Sequence, residues 1–156
     1  MKNFFSLFSL PQIFEIDLAQ LEKKYLQFQH QFHPDKSSSD DISQSIEINQ
    51  AYKILSDDFL RACYILQLQG CDILNDEKAL KVEMATLEEA IELQEKISEI
   101  SKDEIENLRK ELNSKIKSLI LEAMQSLETQ DAAQLLVKAK YLKKSLEDLK
   151  IRKQKI

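Results

Sequence analysis

Gly70 is the only glycine in this chain, and Pro11 and Pro34 are its only prolines. A sheet protein needs a turn about every 8–12 residues. Turns draw on Gly, Pro and Asn for backbone shapes that other residues adopt only at a cost. One glycine and two prolines among 156 residues count against a sheet. Long helices need few of them, so the chain reads as all-α, with one domain or two small ones at this length.

Composition then removes whole classes of function. Hydrophobic residues at 43% and charged residues at 31% suit amphipathic helices around a core rather than a disordered chain. Twenty-two basic against 27 acidic residues leave a net charge of −5, the wrong sign for a surface that binds nucleic acid. No run approaches the roughly 18 apolar residues of a membrane span. Neither nucleic acid nor membrane is expected as a partner. Cys63 and Cys71 are too few for a disulfide framework and point to a reducing compartment. The opening Met1-Lys2-Asn3-Phe4-Phe5 resembles neither a secretory signal nor a transit peptide, which favours a bacterial cytoplasm.

The apolar spacing divides the chain in two. Phe4, Phe5, Leu7, Phe8 and Leu10 make a short apolar turn or two before Pro11. Asp17 can cap a helix whose Gln20 completes a capping box. That helix carries Leu18, Leu21, Tyr25, Phe28 and Phe32, one stripe at helical spacing. Pro34 disfavours helical geometry at His33 and ends it near Phe32. After the polar loop 36–41, Ile42, Ile46, Asn49, Tyr52, Ile54 and Leu55 mark a third helix, with Ile46, Tyr52 and Leu55 expected against Tyr25, Phe28 and Phe32. Asp57 or Asp58 can cap a further stretch, in which Cys63 reads as a small core residue. Gly70 sits where a helix end calls for positive φ.

Beyond Gly70, residues 71–78 form a linker, and from 79 to 156 three helical periods follow without Gly, Pro or Phe. The first holds Met84, Leu87, Ile91, Leu93 and Ile97. A second opens on a capping box, Ser101 with Glu104, and holds Ile105, Leu108, Leu112, Ile116, Leu119 and Met124. The third begins near Asp131, with Gln134 at its reciprocal position. Short connections make neighbouring helices antiparallel, hence a three-helix bundle. Which of Leu87, Ile91 and Leu93 points inward stays open. Charge separates as well: residues 83–106 hold nine acidic and two basic residues, and 138–156 hold eight basic and two acidic. Complementary faces of the first and third helices account for this, each exposed pair contributing about 0–1 kcal/mol.

One tripeptide carries specific chemistry. His33-Pro34-Asp35, followed by Lys36 and serines, ends one amphipathic helix just before another begins. Pro34 breaks the helix, so an imidazole and a carboxylate stand at the tip of a helical hairpin, placed for an outside partner. No phosphate-cradling glycine loop and no nucleophile–base pair occurs, so no enzyme activity is expected. His30 and His33 lack a matching cysteine pair, and no histidine follows His33, which leaves neither a zinc site nor a di-iron bundle. No metal or cofactor is expected. A coiled coil would explain the second half alone and leave the hairpin without a purpose.

The hairpin with His33-Pro34-Asp35-Lys36 resembles a J domain, the part of a co-chaperone that stimulates a DnaK-type ATPase. Ile48-Asn49, Ala51-Tyr52, Leu55, Asp57 and Arg61-Ala62 match the pattern of its third helix. With Tyr64-Ile65-Leu66, Leu68, Gly70 and the helical tail, the chain is similar to the HscB co-chaperones of iron–sulfur cluster assembly. So are the opening residues 3–11 and the acidic stretch Glu83–Lys96. The resemblance implies a J domain over 1–70, a linker over 71–78 and a scaffold-binding three-helix bundle over 79–156, in an L-shaped arrangement.

It also implies the sites. His33, Pro34 and Asp35, supported by Lys23 and Lys24, would dock on an HscA/DnaK-type chaperone. A charged hydrogen bond from Asp35 to a cation there contributes about 1.5–3 kcal/mol. Leu87, Ile91, Glu92 and Glu95 on the first bundle helix, with Tyr141 on the last, would hold the scaffold protein IscU. Glu88 and Gln94 depart from the family pattern, which more often has an apolar and a basic residue there. The alternative is a J-domain adaptor for a different client protein.

Overall fold

The computed structural model of the chain describes residues 3–31, 39–75 and 81–156, and of 39–41 the backbone. Among these residues there are seven helices and no strand: α1 (Phe4–Leu7), α2 (Leu18–Gln31), α3 (Ser39–Ser56), α4 (Asp58–Leu68), α5 (Met84–Glu99), α6 (Lys102–Gln125) and α7 (Thr129–Lys155). The chain divides into two compact units, Met1–Ile65 and Leu66–Ile156.

In the first unit, short polar side chains start the helices. Asn3 Oδ1 accepts from the Ser6 N–H at 2.8 Å, Asp17 Oδ1 from Gln20 at 3.1 Å and Asp57 Oδ1 from Leu60 at 2.8 Å. Each satisfies an amide that has no partner inside its helix. α1 ends in a Schellman turn, the Leu10 N–H reaching the Phe5 carbonyl at 2.9 Å and Ser9 reaching Ser6 at 3.0 Å. Ser9 takes the left-handed position at φ 53°, an uncommon place for a residue with a Cβ.

α3 packs on both α1 and α2. Its inward residues are Ile48, Ala51 and Leu55, and the unit's core includes Phe5, Phe8 and Leu21. Ile46, expected against α2, is 62% exposed, and Ile42 is exposed as well. Ile46 lies two residues before Ile48, about 200° around a helix, so the two cannot share a face. Leu18, the first residue of α2, is also exposed.

Two residues of α4 tie this unit together. Arg61 is buried; its Nε donates to the Phe14 carbonyl at 2.8 Å and its Nη1 to the Leu55 carbonyl at 2.7 Å. Its Nη2 pairs with Asp58 at 2.7 Å, and the guanidinium lies 4.5 Å from the Phe14 ring centroid. Tyr64 stacks on Phe4 with centroids 4.8 Å apart, and its hydroxyl accepts from the Phe4 N–H at 2.9 Å. Cys63 is a buried core residue, as expected.

α4 closes on Gly70 at φ 93°, in the place assigned to positive φ. The Cys71 N–H reaches the Leu66 carbonyl at 2.9 Å and Gly70 reaches Gln67 at 3.0 Å, a second Schellman turn.

In the second unit α5 and α6 both pack on α7. Near the α5–α6 junction Ile97, Ile100, Ile105, Leu108, Leu112 and Leu149 form one cluster, with Leu93, Leu142 and Leu146 packed against it. The buried row of α6 continues through Ile116, Ile120 and Ala123, while Leu119 and Met124, expected inside, are half-buried. A straight helix keeps a period of about 3.6, which carries the row past Leu119 to Ile120.

Two expected helix starts differ. Ser101 makes no side-chain cap, and the Glu104 N–H bonds instead to the Ser101 carbonyl at 3.1 Å. α7 begins at Thr129, two residues before Asp131, and the Gln134 amide donates to the Lys81 carbonyl at 2.8 Å rather than reaching back to its own helix start.

Candidate functional site

The first candidate site is the hairpin of α2 and α3. Tyr25 stacks on Tyr52, and both Tyr25 and Gln29 hydrogen-bond to Asn49, pairings that run antiparallel. The Tyr25 hydroxyl and Gln29 Nε2 each lie 2.7 Å from Asn49 Oδ1, and Gln29 Nε2 also donates to the Tyr25 hydroxyl at 2.7 Å. Phe28 meets Phe8 edge-on at 5.7 Å, which fixes the other side of α2 on the end of α1. Ring packing and a closed hydrogen-bond triangle thus clamp the two arms in the turn before α2 ends. Tyr25 and Tyr52 could be aligned from the apolar stripes; the triangle could not, because Gln29 and Asn49 look like ordinary surface positions.

His33, Pro34 and Asp35 lie outside the described residues, as does Phe32. The two supporting lysines are described, and they differ. Lys23 is exposed. Lys24 is half-buried, and its Nζ donates to the Phe8 carbonyl at 2.7 Å and approaches the Ser9 carbonyl at 3.4 Å. A cation at the last carbonyls of a helix is favourable there. Lys24 therefore anchors α1 to α2.

The second candidate site is on α5. Leu93 and Ile97 face the bundle core, Leu87 is half-buried, and Ile91 is 57% exposed. Of the three positions left open, Ile91 points outward, while Leu93 packs on the core cluster and Leu87 is half-buried. Glu88, Glu92 and Glu95 are exposed alongside Ile91, and so is Met84, which had been expected in the apolar stripe. Met84, Glu88, Ile91 and Glu95 recur every three or four residues and form one outward row, apolar and acidic by turns. Such a row suits a partner surface that is both apolar and basic.

Tyr141, on α7, is half-buried in a cleft of about 360 Å³. The α5 residues lining that cleft are Thr86, Glu89 and Ala90. Leu87, Ile91, Glu92 and Glu95 are not among its walls. The hydroxyls of Ser114 and Ser118 on its α6 side carry no mark in the sequence beyond their four-residue spacing.

Among the described residues no group of three or more His, Cys, Asp or Glu is placed to hold a metal ion. No helix among them is long and apolar enough to cross a membrane.

A clamped hairpin on either side of His33-Pro34-Asp35, joined in sequence to a separate helical unit, defines a J-domain protein with a C-terminal helical domain. Comparison with known proteins agrees on both parts. A DnaJ domain family matches residues 4–64, and the HSCB C-terminal oligomerisation domain family matches residues 82–150. The co-chaperone protein HscB homolog of Acinetobacter baumannii is 40% identical over 123 residues, covering 77% of this chain and 70% of its own length. The homolog from Haemophilus ducreyi is 37% identical over 118 residues, 71% of this chain and 65% of that one. Among solved structures, the chaperone HscB from Vibrio cholerae superposes with a TM-score of 0.81 at 25% identity, over 99% of each chain. Human HscB gives 0.84 at 25% identity, over 100% of this chain and 84% of its own. The chain belongs to the HscB co-chaperone family. It is a J-domain co-chaperone of iron–sulfur cluster assembly, a family that implies an Hsp70-type chaperone partner and is not an enzyme class.

Proposed function

We propose that this protein binds an IscU-type scaffold, delivers it to an HscA/DnaK-type chaperone in the bacterial cytoplasm, and stimulates that chaperone's ATPase. Residues 1–70 would serve as the J domain, 71–78 as a linker and 79–156 as the scaffold-binding bundle. The observation that carries the reading is the clamp of Tyr25, Gln29, Asn49 and Tyr52, which fixes both arms that lead to His33, Pro34 and Asp35. Arms that are already held together need not be ordered when a partner binds, which lowers the entropic cost of docking.

Two effects follow from the two sites. Holding scaffold and chaperone on one chain turns their encounter into an intramolecular event, raising the effective concentration of each for the other. His33 and Asp35 then favour the hydrolysis-competent state of the ATPase by contacting it more strongly than the resting state. Lys23 would add long-range attraction, and Lys24 would act by holding α1 on α2. Leu87, Ile91, Glu92 and Glu95, with Tyr141, would form the scaffold contacts. This chain performs no chemistry itself in this reading and requires no cofactor.

An ATPase assay with purified HscA and IscU, each alone and together, tests it. The unaltered protein should raise turnover, most with IscU present. His33→Gln should abolish the rise while leaving IscU bound. Unaltered stimulation by His33→Gln would remove the tip from the mechanism, and failure to bind IscU would assign the bundle to another client.

A further inference from the structure

The hairpin of α2 and α3 has one side turned to its core and one turned away. Gln29 and Asn49 meet across the pair, and Leu21 and Ile48 are buried on the core side. A helix turns about 100° per residue. Leu26, three residues before Gln29, and Ile46, three before Asn49, therefore each stand about 60° round from that contact. The arms run antiparallel, so equal rotations carry both residues to the same side, away from Leu21 and Ile48. Ile42 lies one turn beyond Ile46 in the same row. Leu26 is 55% exposed, Ile46 62% and Ile42 50%, so nothing among the described residues covers them.

A single exposed aliphatic side chain is ordinary. Three on one side of one hairpin, with the isoleucines about 6 Å apart along α3, make a face. Its position says what meets it. The pairings of Tyr25 with Tyr52 and of Gln29 with Asn49 set Ile46 beside the end of α2 at Gln31, and Ile42 continues in the same direction. His33-Pro34-Asp35 begins two residues after Gln31. A partner that docks on the tripeptide comes up against these turns. Charge does not select that partner: Glu22 and Lys53, exposed on the same side, are of opposite sign. Lys24 is committed to the Phe8 and Ser9 carbonyls, which leaves Lys23 as the more open of the two supporting lysines.

We propose that Leu26, Ile42 and Ile46 form an apolar docking face for the Hsp70-type chaperone, continuous with the His33-Pro34-Asp35 tip and received by an uncharged, apolar surface of that partner. The inference deepens the chaperone-docking reading and rests on it. The face supplies affinity by removing aliphatic surface from water, while the tip supplies the polar contacts that favour hydrolysis. Loss of the face should therefore be overcome by more protein, and loss of the tip should not.

Titration of the full-length protein into purified HscA, read as ATPase stimulation, tests it. The double variant Ile42→Gln with Ile46→Gln should raise the half-maximal concentration about tenfold and keep the maximal stimulation; Leu26→Gln should raise it about threefold. His33→Gln should lose the maximum itself. All positions changed on the face are exposed, and thermal melts check that each variant is folded. Calorimetry with IscU and sedimentation of the free protein should give the same result for variants and unaltered protein. Folded face variants with an unmoved half-maximal concentration, beside a silent His33→Gln, overturn the face and leave the docking reading intact. Weakened IscU binding would give the face to the client, and altered self-association would give it to a second copy; either overturns the proposal. No stimulation by the unaltered protein overturns both face and docking.

Discussion

The ring of Tyr25 on α2 lies against that of Tyr52 on α3, centroids 3.9 Å apart and planes 8° from parallel. Both side chains are only half-buried, so the contact works as a clamp on the hairpin more than as part of the core. Stacked aromatic pairs contribute about 0.5–1.5 kcal/mol beyond the area they bury. A double-mutant cycle of Tyr25→Leu and Tyr52→Leu, read by urea unfolding, should return a coupling in that range. Tyr25→Phe keeps the stack and loses the hydroxyl's bonds to Asn49 and Gln29, and should cost about 1 kcal/mol. Additive effects of the two leucine substitutions would show that the rings do not support each other.

Arg61 gathers acceptors from three places in its unit: the Phe14 carbonyl, the Leu55 carbonyl and the Asp58 carboxylate. Removing the guanidinium strands a buried carbonyl and opens a gap beside Phe14. Arg61→Ala should destabilise by about 3–5 kcal/mol. Arg61→Lys should recover less than half of that, because one ammonium lacks the planar fork that reaches all three. Chemical denaturation of the three proteins measures both. Full recovery by lysine would reduce Arg61 to a charge.

Much of this architecture is legible in the residue order because helices announce themselves by period and by caps. Asp17, Asp57 and Gly70 do the work their chemistry suggests, each satisfying or reshaping a helix end. Ser101 does not, although its motif is as good, because the local backbone turn satisfies Glu104 first. Apolar identity was a weaker guide than phase: Ile46 and Ile48 are the same residue type, and only packing on α1 and α2 chooses between them. On α5 the residue order names Leu87, Ile91, Glu92 and Glu95 without saying which way they face; the fold turns Ile91, Glu92 and Glu95 outward and leaves Leu87 half-buried. The cleft beside Tyr141 was not, since it exists only where three helices part.

Gly70 isolates one backbone effect. Nothing lies within 4 Å of where its Cβ would be, so a side chain there meets no steric obstacle. Its φ of 93° is the whole cost. Gly70→Ala should lower stability by about 1–2 kcal/mol, and Gly70→Asn by less, since Asn tolerates left-handed backbone. Equal losses for the two would trace the cost to something other than φ.

Lys23 and Lys24 are neighbours of identical chemistry, and the structure gives them different surroundings. The Lys24 ammonium is committed to the Phe8 and Ser9 carbonyls, where it holds the short helix α1 against α2. Lys23 projects from the exposed side. Lys24→Ala should therefore lower the unfolding midpoint, with a loss of stability of about 1–2 kcal/mol for a partly exposed charged hydrogen bond. Its ATPase stimulation should fall only as far as the population of folded hairpin falls. Lys23→Ala should leave the midpoint within experimental scatter and weaken stimulation most at low ionic strength, because exposed charges act over about 10 Å at 0.1 M salt and less above it. Stimulation curves at two salt concentrations, beside melts of both variants, separate the tasks. A stable Lys24→Ala protein with impaired, salt-dependent stimulation would return Lys24 to the docking face.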